Sequence, residues 1–488
     1  MTPTLADLLE GVVPLGDAEG RIRAAGITHD SRKVRPGWIF FAVPGTREDG
    51  ARYAGEAAAK GAAAVVAARP LELPVPCLAA EDVRLALAIA ADRFFGRPSE
   101  RLLCAGVTGT NGKTTVCHLL RGILAEAGRP WGILGTVGNL VGDRLLPALT
   151  TTPDPVEVQA LLAEMERAGM EGCAMEVSSH ALDQRRVSGV RFRLAVFTNL
   201  TRDHLDYHGG MEAYFRAKVS LFQGLPPGAR AVLNEGDPWA RKAADHLPPG
   251  VEPLFFGLGP GGGRGIRALE AKSDLEGSTF ILDTPKGRIR GRIPLAGAFN
   301  VENALAAAAG AYALGLSPAE IARGLERARP ARGRLERVPG PEGGPAVFVD
   351  YAHTPDALER VLETLRPLAR GRLLVVFGCG GDRDQGKRPL MGEAAARRAD
   401  LVWVTSDNPR SEDPLAIIEG ILEGARRGPA RVEVEPRREK AVEKALREAR
   451  PGDIVLIAGK GHEAYQIVGE ERIPFDDAET AGRFLCGG

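Results

Sequence analysis

Along the chain, short and nearly continuous apolar runs alternate with stretches whose apolar residues recur every three or four positions. The first pattern is that of strands buried on both faces, the second that of amphipathic helices. WIFFAV (38–43) and AAAVVAA (62–68) bracket the helical stretch RYAGEAAAKG (52–61). RLLCAGV (101–107), GCAMEV (172–177) and RLAVFTNL (193–200) read as strands further on. AVFVD (346–350), RLLVVFG (372–378), LVWVTS (401–406) and DIVLIAG (453–459) repeat the pattern towards the end. Strands that alternate with helices predict an α/β fold with largely parallel sheets.

One predicted helix breaks its own pattern. Around AYFRAKVSLF (213–222), Met211, Tyr214, Phe215, Leu221 and Phe222 share a face, and Lys218 falls in the middle of it. Burying an ammonium is costly unless it is paired, so this position asks for a chemical reason.

Two stretches rich in Pro, Gly and charge, FFGRPSERL (94–102) and ERARPARGRLERVPGPEGGP (326–345), interrupt the alternation. They divide the chain into expected domains of 1–97, 98–332 and 333–488. Polar loops follow the strands directly: TGTNGKTT, SSHALDQRR, TRDHLDYH, YAHTPD, CGGDRDQGKRP, DNPR and KGHE. In open parallel sheets ligands bind beyond the carboxyl ends of strands, so these loops predict a site between domains.

Composition narrows the class without naming a chemistry. The 488 residues carry 63 basic and 63 acidic side chains, so no global field points to nucleic acid or an anionic membrane. No segment reaches the roughly 18 uninterrupted apolar residues of a membrane span. The opening MTPTLADLLEGVVPLG lacks a basic leader, and the six scattered cysteines have no metal-like spacing. Together these predict a cytoplasmic protein with reduced thiols.

GVTGTNGKTT (106–115) joins a strand to a helix whose Val116, Leu119, Leu120, Ile123 and Leu124 keep helical spacing. Glycines there let the backbone wrap an anion, helix-start amides point at it, and Lys113 adds positive charge. Gly109, Thr110, Asn111, Gly112, Lys113, Thr114 and Thr115 are the expected phosphate-binding residues. Val107 stands where the usual motif has its first glycine, which makes this a shorter variant. The Thr114 hydroxyl is a candidate Mg²⁺ ligand, with Glu176 and His204 at neighbouring strand ends.

TGTNGKTT, EVSSHAL, NLTRDHLDYHG, AYFRAKVSLF, NVENALAA, VDYAHTPDAL, GCGGDRDQGKRPLMG, DNPR and GKGHE resemble the motifs of the ATP-dependent Mur ligases, in order and over nearly the whole chain. The resemblance implies three domains: a small N-terminal α/β domain, a central P-loop ATPase-type parallel sheet and a C-terminal Rossmann-like domain. It implies a ligase that adds the third amino acid to UDP-N-acetylmuramoyl-L-alanyl-D-glutamate in peptidoglycan precursor synthesis. ATP is the implied co-substrate, Mg²⁺ the cofactor, and an acyl phosphate the intermediate.

By that resemblance Lys113, Glu176, His204 and Lys218 are catalytic, Lys218 as a carbamate formed with CO₂ that helps hold the metal. His29, Ser31, Thr46, Arg47 and Glu48 would face the UDP end of the substrate. Thr150, Thr151, Thr152, Ser178, Gln184 and Arg186 would hold the muramoyl dipeptide, Thr150 standing where relatives often have Asn. Asn300, Asn303, Arg334, Asp350 and His353 would complete the ATP site. Arg383, Asp407, Asn408, Pro409, Arg410, Gly459 and Glu463 would hold the incoming amino acid. Arg410 favours meso-diaminopimelate, because a guanidinium grips a carboxylate bidentately and this amine carries a second carboxylate. L-lysine and L-ornithine stay open as alternatives, as does an ATP-binding scaffold without catalysis.

Overall fold

The structure is a computed structural model that describes residues 2–45, 48–261 and 265–486. Among the described residues, strands form sheets of four, eleven, six and two members. The four-stranded parallel sheet spans Gly26–Thr28, Trp38–Phe41, Ala64–Ala67 and Cys77–Ala79. Helices Leu5–Leu9 and Val83–Phe94 cover one face, burying Leu5, Leu8, Leu9, Ala86, Leu87 and Ala90 against it.

The eleven-stranded sheet is parallel at its centre and antiparallel at both edges. Strand Leu103–Thr108 lies between Gly172–Glu176 and Phe192–Phe197, in register Val107↔Glu176 and Thr108↔Phe197. Chain order reverses on either side of this strand, the switch point at which open α/β sheets leave a crevice. Both faces are covered: Lys113–Glu126 and Ala298–Ala313 pack on one side, Pro155–Arg167 and Met211–Gln223 on the other. That double cover is why the central strands carry no polar alternation.

The antiparallel strands Ile266–Asp274, Gly277–Thr284 and Gly287–Ile293 depart from the expected parallel pattern. Arg288, Arg290 and Arg292 point away from the core while Gly291 and Ile293 are buried, the signature of a sheet wet on one face.

The six-stranded sheet runs Glu336–Val338, Ala346–Asp350, Ile454–Ala458, Leu373–Phe377, Leu401–Val404 and Arg431–Val434 in spatial order. Only Glu336–Val338 pairs antiparallel, and Asp350 lies opposite Ala458. A hairpin, Tyr465–Val468 with Glu471–Pro474, stands beyond it. The C-terminal and central bodies touch: Leu275 and Phe299 pack on the C-terminal core, and Asn111 Nδ2 donates to Asp356 at 3.0 Å.

Candidate functional site

The strand ends converge on a cavity of about 290 Å³ between the central and C-terminal sheets. Its floor is the phosphate loop. Gly112 occupies the left-handed region at φ 87 just before the helix starts at Lys113, and a side chain there would run into Asn303. The loop is stapled to the next strand end, Asn111 N donating to Asn199 Oδ1 (3.0 Å) and Thr198 Oγ to Asn111 O (2.6 Å). Lys113 Nζ folds onto the carbonyls of Gly109 and Thr110, at 2.9 Å each, and burial lowers its pKa. Thr114 and Thr115 are buried at the start of the helix.

Glu176 is 1% exposed at the end of its strand. Thr114 Oγ donates to its Oε2 at 2.9 Å, and Thr136 donates through both its amide (2.8 Å) and its hydroxyl (3.1 Å). Lys218, also 1% exposed, reaches the same loop from below, and its Nζ donates to Gly109 O at 2.8 Å under the Tyr214 ring. Burial, reinforced by the Lys113 cation, holds its pKa well below the usual lysine value. His204 is exposed at φ 52, its ring 4.7 Å from His180 and its Nε2 3.4 Å from Asp203. Among the described residues no group of three His, Cys, Asp or Glu side chains is arranged to hold a metal. Thr114 and Glu176 nevertheless bring two oxygens together, the donor type Mg²⁺ prefers.

The C-terminal body roofs the cavity. Arg334 donates to Thr114 Oγ at 3.1 Å and lies 4.7 Å over the Tyr351 ring, with its buried Nε unpaired among the described residues. Asp350 accepts from the amides of Leu335 and Ala352, at 2.7 Å each, and burial raises its pKa. The His353 Nδ1 pairs with Tyr351 O at 2.8 Å, and burial beside Lys387 takes its pKa down to about 4. Asn300 and Asn303 lie on the first turns of Ala298–Ala313, their amides 3.3 Å apart, and both line the cavity with Phe299.

Beside this cavity runs a second network. Thr152 Oγ donates to Glu176 O (2.8 Å) and accepts from Ser178 N (3.1 Å). Arg186 donates to Thr152 O (2.8 Å) and Gln184 Oε1 (2.7 Å), while Thr136 Oγ reaches Thr151 Oγ at 3.1 Å. Thr150 is exposed and donates to Thr152 O. On the four-stranded sheet, Ser31 is buried and donates to Glu56 at 3.2 Å, His29 is exposed, and Glu48 pairs with the Tyr53 hydroxyl. Thr46 and Arg47 lie outside the described residues. Among the described residues no hydrogen bond joins that sheet's group to the Thr152–Arg186 network.

A third cluster sits on the C-terminal body. Asp407, Asn408 and Pro409 are buried, and Arg410 donates to Gly381 O at 2.7 Å. The hairpin grips this loop: Arg410 N donates to Ile467 O (3.1 Å), and Gln466 Nε2 to Asp407 O (2.7 Å). Glu463 accepts from Asn408 Nδ2 at 2.9 Å, and a side chain at Gly459 would press on the Asp407 carboxylate. Arg383 is exposed and flanks Gly380 with Arg410.

Thr136, Lys460 and Gln466 escaped the sequence reading. Each makes a key contact 40 to 59 residues away, to Glu176, Asn408 and Asp407 respectively, where no local spacing signals it.

Comparison with known proteins matches the chain over nearly its whole length. Residues 23–94 match the Mur ligase family catalytic domain, 107–311 the Mur ligase middle domain, and 333–461 the Mur ligase glutamate ligase domain. A UDP-N-acetylmuramoyl-L-alanyl-D-glutamate--2,6-diaminopimelate ligase of Solibacter usitatus is 46% identical over 479 residues, covering 97% of this chain and 96% of its own. The protein of the same name from Geobacter metallireducens is 47% identical, covering 93% and 92%. A solved structure of a ligase of that name is 35% identical, with a TM-score of 0.72 over 100% of this chain and 99% of its own. By its domains, its architecture and its identity to relatives over nearly their full length, the chain belongs to the Mur ligase family.

Proposed function

We propose that the chain is an ATP-dependent ligase that joins meso-diaminopimelate to the D-glutamate carboxylate of UDP-N-acetylmuramoyl-L-alanyl-D-glutamate. The observation that carries this reading is the meeting of the phosphate loop with Glu176 at the neighbouring strand end and with buried Lys218, which reaches the loop from the helix Met211–Gln223, with the DNPR loop held on the C-terminal body. Relatives that bear this activity in their names support the choice of substrates.

A carboxylate does not acylate an amine at neutral pH because oxide is a poor leaving group. Transfer of the γ-phosphoryl group of ATP to the carboxylate oxygen forms an acyl phosphate and ADP. The substrate amine then attacks the acyl carbon, the C–O bond to phosphate breaks, and the nitrogen loses a proton. The chain contributes position and charge to this sequence. Lys113 leaves its loop carbonyls for the nucleotide phosphates, and Arg334 offers its unpaired Nε from above. Asn300 and Asn303 serve the adenine side. Thr151, Thr152, Ser178 and Arg186 orient the dipeptide, and Ser31 and its neighbours the uridine end. Closure of the C-terminal body excludes the water that would hydrolyse the acyl phosphate.

The donor set fits Mg²⁺ once Lys218 is modified. Its amine is buried, makes no salt bridge with a carboxylate among the described residues and has a depressed pKa, so the neutral form that adds CO₂ is accessible. Addition would form an N–C bond, release a proton and supply carboxylate oxygens beneath the phosphate loop, where Lys218 Nζ meets Gly109 O. Thr114, Glu176 and the carbamate would then hold Mg²⁺, with His204 alongside, and the ion would neutralise phosphate charge.

The test supplies ATP, Mg²⁺ and the UDP-muramoyl dipeptide, then compares meso-diaminopimelate, L-lysine and L-ornithine by phosphate release and product mass. Preference for meso-diaminopimelate is expected. Preference for L-lysine or L-ornithine overturns the choice of amine, and no product with any of them overturns the ligase reading.

A further inference from the structure

Lys460 is a wholly buried cation beside the amino-acid pocket, its side chain 0% exposed. Its Nζ donates to Asn408 Oδ1 at 3.1 Å and Glu463 Oε2 at 3.4 Å, and lies 3.6 Å from Asp407 Oδ1. An ammonium has three donor hydrogens, and three oxygens surround this one. All three belong to residues assigned above to the incoming amine. Glu463 Oε2 also accepts from Asn408 Nδ2, while its Oε1 accepts nothing among the described residues. One carboxylate oxygen is therefore saturated from within the protein and the other is free for a ligand.

Charge leads to the same place. Asp407 and Glu463 contribute two negative charges and Lys460 one positive, while the neighbouring Arg438 is neutralised by Asp477 in a wholly buried pair. The Asp407–Glu463 end of the pocket thus keeps a single surplus negative charge, enough for one ligand ammonium, while Arg383 and Arg410 flank Gly380 at the other end, where a ligand carboxylate would lie. The distal end of meso-diaminopimelate carries an ammonium and a carboxylate; that of L-lysine carries the ammonium alone.

Resting on the reading of 407–410 and Glu463 as the amino-acid pocket, we infer that Lys460 is a specificity-determining positioning residue: it aims Glu463 and Asn408 and cancels the charge that would otherwise repel the ligand's second carboxylate. Without it, two carboxylates would face one ammonium, and amines lacking the extra carboxylate would gain relative to meso-diaminopimelate.

The experiment uses the full chain and measures kcat and KM for meso-diaminopimelate and L-lysine in the parent and in Lys460→Met, Lys460→Gln and Lys460→Arg. In Lys460→Met the ratio of kcat/KM values, meso-diaminopimelate over L-lysine, is expected to fall by about 10-fold or more. The change should come through KM for the amine, with KM for ATP and the UDP substrate unmoved. Lys460→Arg, which keeps the charge, should restore most of the ratio. Lys460→Gln, which keeps a hydrogen-bond donor without the charge, gives the same reading if the Met variant does not fold. A selective parent whose Met and Gln variants slow equally with both amines would overturn the inference and leave the pocket assignment standing. A parent that does not distinguish the amines would overturn the pocket assignment, and this inference with it.

Discussion

Gly135→Ala asks whether the position of the Glu176 carboxylate governs turnover. The added Cβ falls inside van der Waals contact of Glu176 Oε1 and 3.0 Å from its Cδ. The carboxylate can move only towards the cavity it lines, and doing so loosens its bonds, because both oxygens are held, one by the Thr136 amide and the other by the hydroxyls of Thr114 and Thr136. Restoring an ordinary separation takes a shift on the order of 1 Å. That shift strains first the 2.8 Å bond from the Thr136 amide, which ends on the crowded oxygen. A hydrogen bond to a charged group contributes about 1.5–3 kcal/mol, so stability falls by no more than roughly that amount. Turnover suffers more, since a misplacement on the order of 1 Å lowers rates by about 100-fold. The assay is steady-state phosphate release at saturating substrates, with a thermal melt to verify folding. A folded Gly135→Ala protein with kcat within about two-fold of the parent would refute the reasoning.

Lys218→Ala should lower kcat by about 100-fold or more through loss of charge placement, and a short-chain carboxylate added to the assay should restore part of it; full activity without rescue would remove the carbamate from the account. Asp477→Ala strands Arg438 as an unpaired buried charge and should cost about 3–5 kcal/mol, read as a lower urea midpoint; an unchanged midpoint refutes this. The third concerns Asp92, whose carboxyl burial raises from 3.8 to about 6. Between those values the unfolded chain has lost the proton and the folded chain retains it, so stability declines as pH rises through the window. Asp92→Asn should therefore be more stable than the parent by about 1 kcal/mol above pH 7, after discounting for partial exposure, and equal to it near pH 4. Denaturant midpoints at both pH values check this, and a gain at both would refute it.

The parallel core and the phosphate loop were legible because each depends on local spacing. An apolar run followed by a Gly-rich turn states both where the strand ends and what its end can bind. Lys218 was legible for the opposite reason, since it violates the periodicity of Met211–Gln223. Thr136 and Lys460 were not, because a threonine after a strand and a lysine between glycines have ordinary local explanations. Their meaning lies in partners brought near by sheet register, as Val107↔Glu176 and Asp350↔Ala458 show for the strand ends around them. The antiparallel edge 266–293 hid in its arginines, whose alternation with Gly and Ile reads as turn and surface unless one face is known to be covered.

Gly333, at φ 67, lies so close to Gly461 and His462 that any side chain would strike their backbone. The linker leaving the central body is therefore pressed onto the loop that carries Lys460 and Glu463, and the next residue is Arg334. On the function proposed above, nucleotide cover and amine pocket would ride on a single lever with one fulcrum. Any swing that sealed the phosphates would then also deliver the nucleophile, and an acyl phosphate formed under that lever would meet its amine before the solvent.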